Sequence, residues 1–189
     1  MNRRDAVKNV ALLMGGALTA STLSVMLEGC QHEMRSGKGT SFTDDEKKML
    51  NRMTDVIIPR TDTPGAVDAG VPEFIVVMMQ DCYPDKDQAA FHKGLAAFDK
   101  QCSKKYGNGF LALSPEKQET AVSELDKQVL GDKNKDSGDL AFYRRLKELT
   151  LLGFFTSEPG ATKTLRYVQV PGRYDGDVPY HKGDKAWAT

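Results

Sequence analysis

Apolar residues recur at intervals of three or four along much of this 189-residue chain, which is the spacing of one face of an α-helix. The clearest case is "FTDDEKKMLNRMTDVIIP" at 42–59. Thr43 and Glu46 form a capping box at its start, and Pro59 ends it. The residues of this helix that we expect to face the core are Met49, Leu50, Met53, Val56 and Ile57.

Four further segments follow. Pro72 is expected to be the first residue of a helix through "PEFIVVMMQDCY", although its nearly continuous apolar run leaves a buried strand as the alternative. Helices are then predicted over 87–107, from Ser114-Pro115 onward, and over 138–155. Their predicted inward residues are Phe91, Leu95, Phe98 and Cys102, then Val122, Leu125 and Val129, then Phe142, Leu146, Leu149 and Leu152. The fold class is therefore all-α, a small domain of about five helices with a long irregular C-terminal segment.

Residues 1–30, "MNRRDAVKNVALLMGGALTASTLSVMLEGC", have the parts of an export signal. Basic Arg3, Arg4 and Lys8 precede an apolar segment over 10–27, and a small-residue site follows. Paired arginines before a mildly apolar segment are typical of the twin-arginine route, which exports proteins that have already folded. An ordinary secretory signal and a short membrane anchor are the alternatives.

Leu27-Glu28-Gly29-Cys30 resembles a lipobox, in which the cysteine becomes the lipidated first residue of the mature protein. Leu27 and Gly29 fit the pattern, whereas Glu28 stands where a small or β-branched residue is expected. Cys30 is therefore a lipidation candidate, and we expect a periplasmic protein anchored to a membrane as a lipoprotein. Cleavage by an ordinary signal peptidase, or no cleavage, is the alternative.

These features divide the chain into four parts. Ser157-Glu158-Pro159 is expected to cap a short helical turn just before the last part, which is rich in turn residues and tyrosine. The parts are a signal over 1–29, a flexible tether over 30–41, a helical domain over 42–165 and an extended C-terminal arm over 166–189.

Charge and cysteine content exclude some classes of function. The 26 basic residues balance the 26 acidic ones, so no overall field favours nucleic acid.

If Cys30 takes lipid, Cys82 and Cys102 remain, near the ends of two adjacent predicted helices. They could form a disulfide, but a protein folded in the reducing cytosol leaves it with thiols. Two buried thiols are therefore the alternative.

No catalytic, cofactor or metal site is predicted. His32, His92 and His181 lack a second ligand at metal-binding spacing, and each is expected at the surface. The loop over 132–143 resembles a calcium loop only in its first, third and fifth positions, because it lacks the glycine and the final glutamate. Phosphate-binding, dinucleotide-binding and serine-nucleophile motifs do not occur in the chain.

Three stretches resemble the gluconate 2-dehydrogenase subunit 3 family: "DVIIPRTDTPGAVDAGVPEFI" at 55–75, "LALSPEKQ" at 111–118 and "GFFTSEPGATKTLRYVQVPGRYDGDVPY" at 153–180. The resemblance implies a non-catalytic small subunit that acts beside a large FAD-binding flavoprotein of the glucose-methanol-choline type, which oxidises a sugar. It implies that the small subunit provides the twin-arginine signal and aids export, maturation and stability. FAD would belong to the large subunit, and haem c to a cytochrome c that receives the electrons.

The resemblance also suggests a partner-facing surface on two of these motifs, because tyrosine and arginine are frequent interface anchors. In the alternative, the glycines and prolines fix loop shape and the tyrosines cover the protein's own core. The candidate interface residues are Asp62, Thr63, Glu158, Arg166, Tyr167, Arg173, Tyr174, Asp177 and Tyr180.

Two other functions remain open. One is a lipid-anchored periplasmic binding module with no dehydrogenase partner. The other is an independent sugar-modifying enzyme that uses the carboxylates of Asp62, Asp68 and Glu73.

Overall fold

The computed structural model describes residues 41–131, 140–170, 172–173 and 176–188. The signal, Cys30 with nearly all of the tether, His32, the calcium-like positions 132–139 and Tyr174 lie outside the described residues. The corresponding predictions stay predictions.

Five α-helices and two very short strands form the described part of the chain. Two π-helical turns and one 3₁₀ turn join them. In chain order the elements are α1 (Asp44–Ile57), α2 (Val71–Val77), a π-helical turn (Met78–Cys82), α3 (Asp85–Tyr106), a 3₁₀ turn (Phe110–Ala112), α4 (Pro115–Gly131), α5 (Ala141–Thr156), a second π-helical turn (Gly160–Thr164), β1 (Arg166–Tyr167) and β2 (Trp187–Ala188). The all-α fold class is confirmed.

Local sequence signals account for several helix ends. At the start of α1 the backbone N–H of Glu46 donates to Thr43 Oγ1 at 3.2 Å, and the N–H of Thr43 donates to Glu46 Oε2 at 2.8 Å. This is the predicted capping box. Gly107 ends α3 with φ of 84°, a left-handed conformation that glycine adopts without steric cost.

Helix α5 lies at the centre of the helical domain. It contacts all four other α-helices and the π-helical turn that follows it. Phe142, Leu146 and Leu149 of α5 are buried, as predicted. Their neighbours include Phe91 of α3, whose ring centroid lies 6.3 Å from that of Phe142. Every predicted inward residue of α3 and α4 is also buried.

The structure corrects two details of this prediction. Pro72 is the second residue of α2 rather than the first, and the apolar run that follows it is helical and then π-helical, so the strand alternative is wrong. Leu152, which was expected to face the core, is 47% exposed. The reason is geometric, since Leu152 lies one turn beyond the exposed Glu148 on the side of α5 opposite its packing partners.

None of the helices in the described ranges combines the length and the apolar character needed to cross a membrane.

Candidate functional site

The described residues hold no cluster of three or more His, Cys, Asp or Glu side chains placed to bind a metal ion. The polar and aromatic residues that the sequence singled out lie instead on two surface features. These are the loop between α1 and α2 and the C-terminal arm.

The loop between α1 and α2 is held in shape by its own contacts. The N–H of Ala66 donates to the carbonyl of Ile58 at 2.9 Å, and the N–H of Gly65 donates to Asp68 Oδ2 at 3.0 Å. A Cβ atom on Gly65 would lie 2.7 Å from the backbone nitrogen of Arg60, so only glycine fits there. In the part of this loop that precedes Gly65, Asp62 is exposed and Thr63 is half-buried.

Asp68 therefore already has a structural role. Besides accepting the bond from Gly65, its carboxylate pairs with Arg60 at 3.2 Å. A carboxylate whose two oxygens already accept the N–H of Gly65 and pair with Arg60 has less capacity to accept a proton from a substrate. This weighs against the alternative of an enzyme that uses the acidic residues of this loop.

A short joint connects α5 to the arm. Ser157 Oγ donates to the carbonyl of Phe154 at 2.6 Å and accepts the N–H of Gly160 at 3.1 Å. The N–H of Leu165 then bonds the carbonyl of Gly160 and closes the second π-helical turn. Serine therefore caps a short helical turn at this point, in agreement with the sequence-based expectation.

The arm is not extended along its whole length, because its first residues pair with residues near its end. Strands β1 and β2 pair in parallel, with Arg166 opposite Trp187. The N–H of Arg166 donates to the carbonyl of Ala186 at 2.8 Å. The guanidinium of Arg166 lies 4.0 Å from the centroid of the Trp187 ring, a cation–π contact. Lys185 Nζ donates to the carbonyl of Lys163, which ties the returning strand to the second π-helical turn.

Most candidate interface residues are exposed. The structure brings Arg166 and Tyr167 together with Trp187 in the β1–β2 pair, whereas Asp62 and Thr63 lie in the separate loop before α2. The exposed candidates are Asp62, Glu158, Arg166, Tyr167, Arg173, Asp177 and Tyr180. Exposure leaves these side chains able to contact a partner, and the arm holds most of them.

The expectation that His92 lies at the surface is wrong. Its side chain is 11% exposed, and its Nδ1 lies 2.7 Å from Glu46 Oε1. The ring of Phe42 covers it, with centroids 4.4 Å apart. Phe42 comes directly before the capping box of α1, so this contact brings the start of the helical domain against α3. His181 is 80% exposed, as expected.

Glu46 makes the stability of this junction depend on pH. Burial acts to raise the pKa of its carboxyl, but hydrogen bonds from Thr43 and the contact with His92 outweigh burial and hold the pKa below its ordinary value. A lowered pKa in the folded state means that the stabilisation is complete above the ordinary glutamate pKa. It is lost as the pH falls through the folded-state value.

We expect Glu46→Gln to lower the free energy of unfolding at neutral pH and to flatten its decline in acid. Urea titrations of the full chain from neutral to acidic pH measure both effects. Glu73→Gln is the control, because Glu73 is an exposed first-turn residue of α2. Parallel acid profiles for wild type and Glu46→Gln would contradict the assigned role.

The two cysteines of the helical domain are free thiols in the structure. Cys102 is buried in the core, where burial raises its pKa to about 11, and Cys82 is exposed at the end of the first π-helical turn. The arrangement differs from both sequence-based alternatives, since only one of the thiols is buried.

The sequence model of one protein family, described as gluconate 2-dehydrogenase subunit 3, matches residues 44–172. The chain belongs to this family. As a subunit 3 protein, it is an accessory subunit of a gluconate 2-dehydrogenase-like oxidoreductase complex and works with other dehydrogenase subunits. The matched range includes the loop before α2, α5 and β1, while β2 lies beyond it. Neither the curated proteins nor the solved structures gave a match.

Sequence reasoning missed several exposed apolar residues around the arm. Leu151 and Phe155 of α5 are 41% and 40% exposed, and Trp187 of β2 is 52% exposed. One signal could have revealed the first two, because "LTLLGFF" at 149–155 is apolar on all sides of a helix. Trp187, the single tryptophan of the chain, carried no local signal.

Proposed function

We propose that this family member is a non-catalytic small subunit that docks to a large FAD-binding flavoprotein of the glucose-methanol-choline type. The observation that carries the proposal is the C-terminal arm. It presents Arg166, Tyr167 and Trp187 to solvent and is tied to α5 through Ser157. Exposed tyrosine, tryptophan and arginine on a fixed scaffold are the typical composition of an interface hot spot.

The proposal extends to export. The small subunit would provide the twin-arginine signal and escort the large subunit to the periplasm, where Cys30 would carry the lipid anchor. FAD would reside in the large subunit, and haem c in a cytochrome c that accepts the electrons. Support comes from the family membership and from the signal-like sequence over 1–29.

Deleting 166–189 tests this proposal. The large subunit, carrying an affinity tag, is co-produced with the full-length small subunit or with the deletion variant. We expect the full-length chain to come with the tagged subunit as a yellow, flavin-containing complex in the periplasmic fraction. The deletion is expected to reduce capture and exported flavoprotein by at least about tenfold, the effect of losing a hot spot.

The deletion variant should retain its helical domain, because in the part of the chain that the structure describes no buried core residue lies in the arm. Circular dichroism and thermal unfolding of the purified variant check this. Flavoprotein that is exported normally without the small subunit would contradict the function. A deletion variant that unfolds would show that the arm belongs to the core.

A further inference from the structure

The second half of α5 carries apolar side chains on the face that the helical domain leaves uncovered. Leu151, Leu152 and Phe155 are 41%, 47% and 40% exposed, and we call these three residues the outer stripe. Because residues three and four apart are neighbours on a helix, Phe155 lies beside both leucines. On the opposite side, Leu149 and Phe154 are buried. This half of α5 is therefore apolar all round.

A helix that is apolar all round is normally covered on every side. Single exposed apolar residues are common on monomeric proteins, whereas grouped ones mark interaction sites. The outer stripe begins one turn after Glu148, whose side chain pairs with that of Arg145 at 3.5 Å. Polar residues thus occupy the solvent side of α5 up to Glu148, and apolar residues replace them from Leu151.

The outer stripe is joined to the arm by short contacts. Thr156 ends α5, Ser157 bonds both Phe154 and Gly160, and the second π-helical turn packs against α5. A partner that binds the arm would therefore lie close enough to contact the outer stripe as well.

The exposed area favours one extended interface over a small separate contact. Phe155 and the arm's Tyr167, Tyr180 and Trp187 are each 40–75% exposed, which leaves on the order of 400 Å² of aromatic surface uncovered. The exposed leucines and valines of the same segment add to this area. One side of a standard interface measures about 800 Å². The outer stripe alone is too small for a stable dimer, and together with the arm it approaches the standard size.

We propose that the outer stripe inserts into an apolar groove of the same large flavoprotein subunit that binds the arm. This inference rests on the proposed function and adds a helix-in-groove contact to it. A membrane surface fits less well, because helices that bind lipid surfaces have a basic polar face. Here the charged residues one turn before the stripe are both paired, Lys147 with Asp126 at 2.6 Å and Glu148 with Arg145 at 3.5 Å.

The test compares wild type with Leu151→Ser/Phe155→Ser in the full chain, co-produced with the tagged large subunit. We expect the double variant to reduce capture by at least about tenfold. Phe155→Leu should retain most of the capture, because it keeps the apolar contact. Leu130→Ser is the matched control, since Leu130 is an exposed leucine on α4, and it should change nothing.

Because the changed side chains are partly exposed, the double variant should fold. If the melting temperature of the double variant is strongly lowered, Leu152→Lys is used in its place, because Leu152 is the most exposed residue of the stripe. If the tagged large subunit captures the wild type, and captures the double variant or Leu152→Lys equally well, the inference is overturned and the proposed function stands. Absence of wild-type capture would overturn both.

Two further measurements identify other occupants. Sedimentation of the purified small subunit reports self-association, and flotation with anionic phospholipid vesicles reports lipid binding. A double variant that loses either of these properties while it still captures the flavoprotein would assign the stripe to a second copy or to a membrane and overturn the inference.

Discussion

Gly160→Ala is expected to destabilise the protein and to detach the arm from α5. A Cβ atom at this position would lie 1.8 Å from the carbonyl oxygen of Phe154 and 2.8 Å from its carbonyl carbon. Both are backbone atoms in the last turn of α5, so no side-chain rotation can relieve the clash. The second π-helical turn must move away, and the bond from Gly160 to Ser157 is then lost.

We expect the free energy of unfolding to fall by about 3 kcal/mol, the upper part of the usual range for overpacking. For a chain of this size that corresponds to a decrease in melting temperature of about 6–12 °C. Differential scanning calorimetry measures the melting temperature. Limited proteolysis at the Lys and Arg residues of the arm reports whether the arm is released.

Gly131→Ala is the matched control. Gly131 is the last residue of α4, and a Cβ atom there would meet no atom of the described residues within 4 Å. Alanine favours the helix over glycine by up to about 1 kcal/mol, so this variant should match or exceed the wild type. If Gly160→Ala and wild type had equal melting temperatures and arms equally resistant to proteolysis, the close contact between Gly160 and the carbonyl group of Phe154 would be disproved.

Phe142→Ala is expected to have the largest effect on stability of any change considered. The ring of Phe142 lies in the core between α3 and α5, with the rings of Phe91 and Phe98 at 6.3 and 6.4 Å. Gly94 of α3 faces it without a side chain, and a Cβ atom there would lie 2.4 Å from the ring. Removing the ring therefore leaves a cavity that α3 cannot fill.

The expected loss is about 3–5 kcal/mol, measured by urea titration. Phe155→Ala is the control on the same helix, and because Phe155 is partly exposed it should cost far less. A double-mutant cycle sharpens the test. A methyl group added by Gly94→Ala alone would lie 2.4 Å from Cγ and 2.5 Å from Cβ of Phe142. Phe142→Ala removes the ring contact but keeps Cβ, so in that background the cost of Gly94→Ala should fall in part, and the two costs should not add. Simple additivity would contradict the contact between Gly94 and Phe142.

Much of the helical domain could be predicted from the sequence because its signals are local. The capping box of α1 involves residues three apart, and the buried positions of α3 and α4 follow helical spacing. His92 was wrongly expected at the surface because its partners, Phe42 and Glu46, lie on a segment distant in the chain. No local pattern distinguishes a surface histidine from one that meets a carboxylate across two helices.

The candidate site was predicted only in part, for a similar reason. Long motifs identified the family and indicated Arg166 and Tyr167, which the structure places exposed on the arm. Trp187 was missed because only the parallel pairing of β1 with β2 brings its ring under Arg166. Such pairing depends on contacts between residues far apart in sequence, which periodicity does not report.

The sequence alone therefore determined the all-α fold class, most helix ends and the family, since these depend on neighbouring residues and on continuous motifs. Only the tertiary structure decided which side of α5 stays uncovered. Helix α5 is apolar on every side in its second half, so its sequence cannot tell a buried face from an exposed one. The other helices cover Leu149 and Phe154 and leave Leu151, Leu152 and Phe155 in contact with solvent.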